Sequence, residues 1–167
     1  MPKKRCAWAK ESNSLYVDYH DNEWGVPTYD DQILFEMLVL EGCQAGLSWE
    51  TILNKRDGYR DAFYNFDVTR VANMTDGELE KLRDNAAIIR NRLKIKMART
   101  NARVFLEIQK EFESFSNYLW SYVDHKPIQN DWPKMEDVPA STPLSDKISK
   151  DLKKRGMTFV GTTIIYA

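Results

Sequence analysis

The stretch LKKRGMTFVGTTIIYA, residues 152–167, contains two glycines five positions apart with a short apolar turn between them. Residues 144–155 have an amphipathic helical pattern that ends at Gly156, a residue suited to a left-handed C-cap. A second helical pattern begins at Thr162. We therefore predict a helix–hairpin–helix unit over about residues 144–167.

This unit offers a site for an anion. The first amide N–H groups of a helix lack partners within that helix and lie at the positive end of its dipole. A basic segment precedes the turn, and a phosphate of the DNA backbone suits the combination. The predicted backbone contacts are Gly156, Gly161, Thr162, Lys153 and Lys154. The alternative is a plain helical corner whose lysines are solvated.

The rest of the chain also has helical patterns, and strand signals are scarce. Asp30 or Asp31 can cap an almost entirely apolar helix, which we expect to be interrupted at the glycines 42 and 46. Ser48 can cap a second helix through residue 63. A long helix is predicted over about residues 90–112, with residue 93 on its inner side, and its six Lys and Arg side chains could follow a phosphate backbone or simply face water. The fold class is all-α, with one domain over residues 1–167.

Composition excludes several classes of protein. The 167 residues have a formal net charge of −1, so any anion-binding surface must be local. No apolar run is long enough for a membrane span, and no signal peptide is recognisable. Only two cysteines are present, which argues against a disulfide-stapled secreted fold and predicts a cytoplasmic protein.

One glutamate and a group of aromatic residues are candidates for binding a ligand. Glu41 ends the apolar run LFEMLVL and is placed on its core side, although a helix-end glutamate can also reach water. The segment YHDNEWGVP, residues 19–27, lacks a helical or strand period, which predicts an aromatic loop. The candidate ring surfaces are Trp8, Tyr16, Tyr19, Trp24 and Trp49. For any one of them, filling the core is an equally good explanation.

Several segments together resemble one family. They are CAW near the start, LYVDYHDNEWGVP, LFEMLVLEGCQAGLSW, IIRNRLKI and LKKRGMTFVGTTIIY. In this order they are similar to the 3-methyladenine DNA glycosylase I (TAG) family over essentially the whole chain. The resemblance implies a helix–hairpin–helix DNA glycosylase-type helical domain that flips a damaged base out of DNA. It also implies hydrolysis of the N-glycosidic bond, which releases 3-methyladenine and leaves an abasic site.

The resemblance assigns roles to residues of the site. Glu41 matches the family's base-recognising, catalytic glutamate, Tyr19 shares the base edge with it, and Trp49 and the neighbouring aromatics enclose the base. The resemblance further implies a structural zinc bound by Cys6, His20 and a C-terminal pair. The chain stops at Ala167 before such a pair, so we expect a shortened protein or one without the metal; two ligands are too few for tight binding.

No lysine lies where a Schiff-base nucleophile would be assigned, so we expect a monofunctional glycosylase of base-excision repair that uses water. The expected partner is double-stranded alkylated DNA, free 3-methyladenine is the product, and the protein is expected to be a monomer. Two alternatives remain. One is a non-catalytic module of the same fold that binds alkylated DNA, and the other is a helical protein that binds a purine without DNA.

Overall fold

The computed structural model of the chain describes residues 3–167, and within that range the regular structure is helical throughout, without a β-strand. This confirms the all-α prediction. The ten α-helices are α1 Ser14–Asn22, α2 Asp31–Cys43, α3 Trp49–Asn54, α4 Arg56–Ala62, α5 Val68–Ala72, α6 Asp76–Lys81, α7 Arg92–Phe112, α8 Phe115–Ser121, α9 Pro143–Lys154 and α10 Thr162–Tyr166. None of the helices between residues 3 and 167 has the length and apolar character that crossing a bilayer requires.

The helix starts follow the capping signals of the sequence. The Asp30 side chain accepts a hydrogen bond from the backbone N–H of Ile33 at the start of α2. Ser48 accepts from the backbone N–H of Thr51 at the start of α3. Each cap satisfies one of the amide donors that a helix leaves free at its N-terminus, which is worth about 1 kcal/mol. These caps fix where the two helices that flank the candidate site begin.

Helices α2 and α7 pack against each other in the main core. Phe35 of α2 and Phe105 of α7 are fully buried and meet edge to face, with ring centroids 5.3 Å apart. Gly42 lies inside α2 and does not interrupt it as predicted. A Cβ atom at Gly42 would lie 2.9 Å from Met97 Cε and 3.2 Å from the Phe159 carbonyl oxygen. The glycine is therefore needed because α2 passes close to both α7 and the hairpin.

The C-terminal unit has the predicted form, α9, a turn and α10. Gly156 has φ +108°, so it ends α9 in a backbone conformation that favours glycine. The turn is fastened to α7 by the buried Asn101, whose Nδ2 donates to the Thr158 carbonyl and whose Oδ1 accepts from the Thr158 N–H, both at 2.9 Å. This bracket holds the hairpin against the helix that also packs on α2.

Three further expectations about local structure were wrong. Tyr19 and His20 lie on α1, which Asn13 caps with its side chain, so only the second half of YHDNEWGVP is a loop. The helix expected from Ser48 to residue 63 is two helices, α3 and α4, that meet at Lys55. Leu93 is 66% exposed rather than on the inner side of α7, because the buried stripe of that helix passes through Lys94.

Candidate functional site

Glu41 lies near the end of α2 with its side chain turned toward the interior. The residue is 8% exposed. Its Oε2 atom is buried and has no hydrogen-bond partner among residues 3–167. Burial raises the pKa of this carboxyl from 4.5 to about 7, because the charged form loses its hydration. The buried, unpartnered carboxyl is an energetic cost to the fold, which is typical of a residue that serves a ligand.

Tyr19 lies near this carboxyl, and the ring of Trp49 packs against the ring of Tyr19. Their ring centroids are 5.3 Å apart; Tyr19 belongs to a small cluster of apolar side chains separate from the main core, and Trp49 packs against both that cluster and the main core. Burial raises the pKa of Tyr19, and the negative charges of Glu41 and Glu23 raise it further. The Tyr19 hydroxyl is therefore close enough to Glu41 to respond to its charge. The Trp49 Nε1 atom is buried and also lacks a hydrogen-bond partner within the described part of the chain.

Two further predicted residues, Tyr16 and Trp8, extend the same cluster. Tyr16 lies one turn before Tyr19 on α1 and is buried. Trp8 contacts both tyrosines, with ring centroids 5.2 Å from Tyr16 and 6.3 Å from Tyr19. Together with Tyr19 and Trp49, these residues form one connected group of aromatic rings.

Trp24 occupies a different place from the other aromatics. It is 46% exposed and stacks on His20, with centroids 5.5 Å apart, while its edge meets Trp8 at 5.3 Å. It reaches Tyr19 only through the backbone, where the Trp24 N–H donates to the Tyr19 carbonyl at 2.9 Å. Trp24 thus packs on the outside of Trp8, and its prediction as a base-binding residue stays a prediction.

The two predicted zinc ligands lie next to each other. The backbone N–H of Cys6 donates to Nε2 of His20 at 3.2 Å, and Nδ1 of His20 is 3.0 Å from Asp21 Oδ1. Asp21 is itself held by Arg5, whose hydrogen bond keeps the pKa of that carboxyl below its ordinary value. Among residues 3–167 no group of three or more His, Cys, Asp and Glu side chains is arranged for a metal. These residues alone do not fit a four-ligand zinc site, and the zinc expectation stays a prediction.

The hairpin exposes two of its predicted cations. Lys153 and Lys154 are exposed at the end of α9, and neither forms an ion pair within residues 3–167. Gly161 is the N-cap of α10 and has no side chain with which to cap it. The Thr162 hydroxyl lies 2.7 Å from the Ser145 hydroxyl, so its side chain joins α10 to α9.

The basic run of α7 is only partly available to a ligand. Lys94 is buried, and its Nζ donates to two backbone carbonyls just beyond Glu41, at 2.8 and 2.6 Å. Arg99 donates to the Met74 carbonyl at 3.1 Å, and Arg103 to the Ala72 carbonyl at 3.0 Å. These three cations bind backbone carbonyls at or just beyond the ends of neighbouring helices, so neither of the two alternatives, phosphate contact or a solvated face, describes them.

The arrangement suits one kind of ligand. A buried carboxylate attracts a cation and accepts hydrogen bonds, and flat aromatic faces stack on a ring with an added attraction if that ring is positive. The site therefore fits a flat, cationic heteroaromatic ring with an N–H group directed at Glu41.

Comparison with known proteins agrees with this geometry. The sequence pattern of the methyladenine glycosylase family matches residues 8–167. The chain belongs to this family. A methyladenine glycosylase requires recognition of an alkylated purine, which is the flat, cationic ring that the site fits. The family match includes every candidate base-binding residue but begins after Cys6.

Relatives of this methyladenine glycosylase are similar over nearly its whole length. A DNA-3-methyladenine glycosylase of Haemophilus influenzae is 48% identical over 163 residues, which are 98% of this chain and 88% of that protein. DNA-3-methyladenine glycosylase 1 of Escherichia coli is 48% identical over 98% of this chain and 87% of its own. A crystal structure of 3-methyladenine DNA glycosylase I has a TM-score of 0.94 at 49% identity, covering 98% and 89% of the two chains.

A variant of 3-methyladenine DNA glycosylase I has been solved in complex with 3-methyladenine, and this chain resembles it with a TM-score of 0.94 at 36% identity, over 98% of this chain and 88% of that one. These likenesses confirm the expected family and helical fold.

Sequence reasoning missed three buried polar side chains on α2 and α7 of this methyladenine glycosylase. Lys94 and Asn101 both lie on the buried stripe of α7, and Glu36 is buried in α2. The available signal was their position, because each interrupts an apolar stripe at helical spacing. A polar residue in such a stripe needs a partner, and only the structure shows which partner it has.

Proposed function

We propose that this chain is a DNA repair enzyme that hydrolyses the N-glycosidic bond of 3-methyladenine in alkylated DNA and leaves an abasic site. Membership of the methyladenine glycosylase family supports the activity. The single observation that carries the site is the buried carboxyl of Glu41, which lies near Tyr19 and has an oxygen atom without a hydrogen-bond partner among residues 3–167. We assign Glu41 as the catalytic residue that contacts the base.

Recognition begins with the charge of the damaged base. Methylation at N3 makes adenine cationic and therefore a better leaving group than adenine itself. The ionised Glu41 attracts that charge and accepts a hydrogen bond from the exocyclic amine, while Trp49 and Tyr19 enclose the ring. A bound cation also favours the ionised carboxylate, which opposes the rise in pKa caused by burial. An uncharged normal purine lacks this attraction.

The bond-breaking step needs no covalent intermediate with the protein. The electron pair of the glycosidic bond moves to the purine, which leaves as neutral 3-methyladenine. Water adds its oxygen to the sugar carbon and releases a proton. Lys94 is the one buried lysine within residues 3–167. Its amine donates hydrogen bonds to two backbone carbonyls, so it is not placed to act as a covalent nucleophile. The expected enzyme is therefore monofunctional and does not nick the strand.

The partner and setting are part of the same proposal. We expect double-stranded DNA to contact the hairpin at Gly156, Gly161 and Thr162, with Lys153 and Lys154 adding phosphate contacts. Flipping the base out of the duplex costs a few kcal/mol, and a damaged base reduces that cost. We also expect a monomer, and we expect it in the cytoplasm because the two cysteines, Cys6 and Cys43, are free.

The test is to incubate the protein with N3-methylated DNA and to identify the released bases by chromatography. The proposal predicts free 3-methyladenine and intact strands with abasic sites. Retention of all methylated bases on DNA that the protein binds would instead indicate a non-catalytic module. Binding of the free base without measurable affinity for DNA would indicate a purine-binding protein.

A further inference from the structure

Arg56, the first residue of α4, connects two acidic side chains from different helices. Its Nη1 and Nη2 atoms donate to the two carboxylate oxygens of Glu23 at 2.7 and 2.9 Å. Its Nε atom donates to Oε1 of Glu36. The Arg56 side chain is 12% exposed and that of Glu36 is 8% exposed. We refer to Glu23, Arg56 and Glu36 as the arginine clamp.

The arginine clamp joins the two helices that carry the base-binding residues. Glu23 is the C-cap of α1, and its backbone N–H donates to the carbonyl of Tyr19 at 2.9 Å. Glu36 lies on α2, the helix that carries Glu41. Arg56 thus fixes the end of α1, close to Tyr19, relative to the helix that carries Glu41.

The position of the clamp is not explained by stability alone. Removing charges from water is costly, and apolar side chains of similar size often stabilise such a place equally well or better. A guanidinium group supplies instead a rigid, planar set of donors that fixes two carboxylates at defined angles. Such a group is suited to holding two helices in register.

We propose that Arg56 is a positioning residue for base recognition, and that it holds Tyr19 and Glu41 at the spacing that binds the methylated base. This inference rests on the proposed function. Arg56 itself does not contact the base. It acts through α1 and α2, so its loss changes the spacing between Tyr19 and Glu41 without removing either recognition side chain.

Arg60 provides a matched control. It also binds Glu36, with Nη2 donating to Oε1 at 2.9 Å, but it makes no hydrogen bond to Glu23. Its side chain is 38% exposed. Arg60→Met therefore removes a cation from the same carboxylate and leaves the bridge between α1 and α2 intact.

The test compares Arg56→Lys, Glu23→Gln and Arg60→Met with the wild-type chain. Lysine keeps the charge but cannot hold both carboxylates as a fork does. Glu23→Gln keeps Arg56 paired with Glu36, so it tests the clamp even if the Arg56 variant does not fold. The two readouts are the dissociation constant for free 3-methyladenine, from tryptophan fluorescence, and the single-turnover excision rate on N3-methylated DNA.

A displacement of about 1 Å in a catalytic group can cost about 100-fold in rate. We expect Arg56→Lys and Glu23→Gln to slow excision by about 10- to 100-fold and to weaken base binding, and Arg60→Met to change both by less than about 3-fold. A purely structural role would reduce the amplitude of the fluorescence change without altering the dissociation constant, and that result would overturn the proposal. A wild-type chain that binds the base without excising it would instead contradict the proposed function. The dissociation constants of the variants for free 3-methyladenine would still test the arginine clamp in that case.

Discussion

Glu41→Gln should change the pH dependence of stability by an amount that the structure sets. Folding raises the pKa of Glu41 from 4.5 to about 7 because the carboxyl is buried. The folded protein favours the neutral acid, so the contribution of Glu41 to the free energy of unfolding is at its full value below pH 4.5. This contribution is lost as the pH rises through 7. At about 1.4 kcal/mol for each pH unit, the rise in pKa corresponds to about 3 kcal/mol. Glutamine stays neutral, so it does not lose this stability.

The assay is urea unfolding of both proteins at about pH 4.5 and about pH 8. Relative to the wild type, Glu41→Gln should gain about 3 kcal/mol in free energy of unfolding at the higher pH. The cost of burying the glutamine amide is the same at both pH values, so it cancels when the stability differences at the two pH values are compared. Glu107→Gln, at a position whose side chain is 70% exposed, is the control and should show no such change. An equal stability difference for Glu41→Gln at both pH values would refute the reasoning.

Three further predictions concern other parts of the molecule. Replacing Lys153 and Lys154 by Ala should weaken DNA binding and lower the slope of log K against log salt by about 2, and an unaltered slope would count against the hairpin contacts. Trp49→Ala should raise the dissociation constant for free 3-methyladenine by about 5- to 100-fold, the range expected for one stacked base; unchanged fluorescence titrations would exclude stacking on this ring. Gly42→Ala should lower the free energy of unfolding, measured in urea, by about 1–3 kcal/mol because its Cβ would crowd Met97. A higher free energy of unfolding would show that the packed helices can move apart to accept the added methyl group.

The sequence contains enough information to locate the starting points of α2 and α3. Asp30 and Ser48 both accept the predicted N-terminal hydrogen bonds. Capping is a local interaction between residues three apart, so it can be recognised without knowledge of the fold. The left-handed conformation of Gly156 is local in the same sense.

The supporting interactions of the site could not be predicted because they connect distant segments. Lys94 is about fifty residues from the carbonyls that it caps, and Arg56 is 33 residues from Glu23. Helix α1 was also missed, since its polar residues leave a weak apolar pattern, and its stability comes from packing Tyr16 and Tyr19 against α3. Intrinsic helix propensity is a weak guide where tertiary packing decides the structure.

The most direct test of the account is the excision rate of Glu41→Gln beside that of the wild type on the same N3-methylated DNA. The buried carboxyl supplies both the charge and the hydrogen-bond acceptor for the base, and a charged hydrogen bond is worth about 1.5–3 kcal/mol before the loss of attraction is added. We predict that excision falls by about 100-fold or more while affinity for DNA changes by less than about 2-fold. Excision at the wild-type rate would contradict the central claim, because it would remove Glu41 from the recognition of the base.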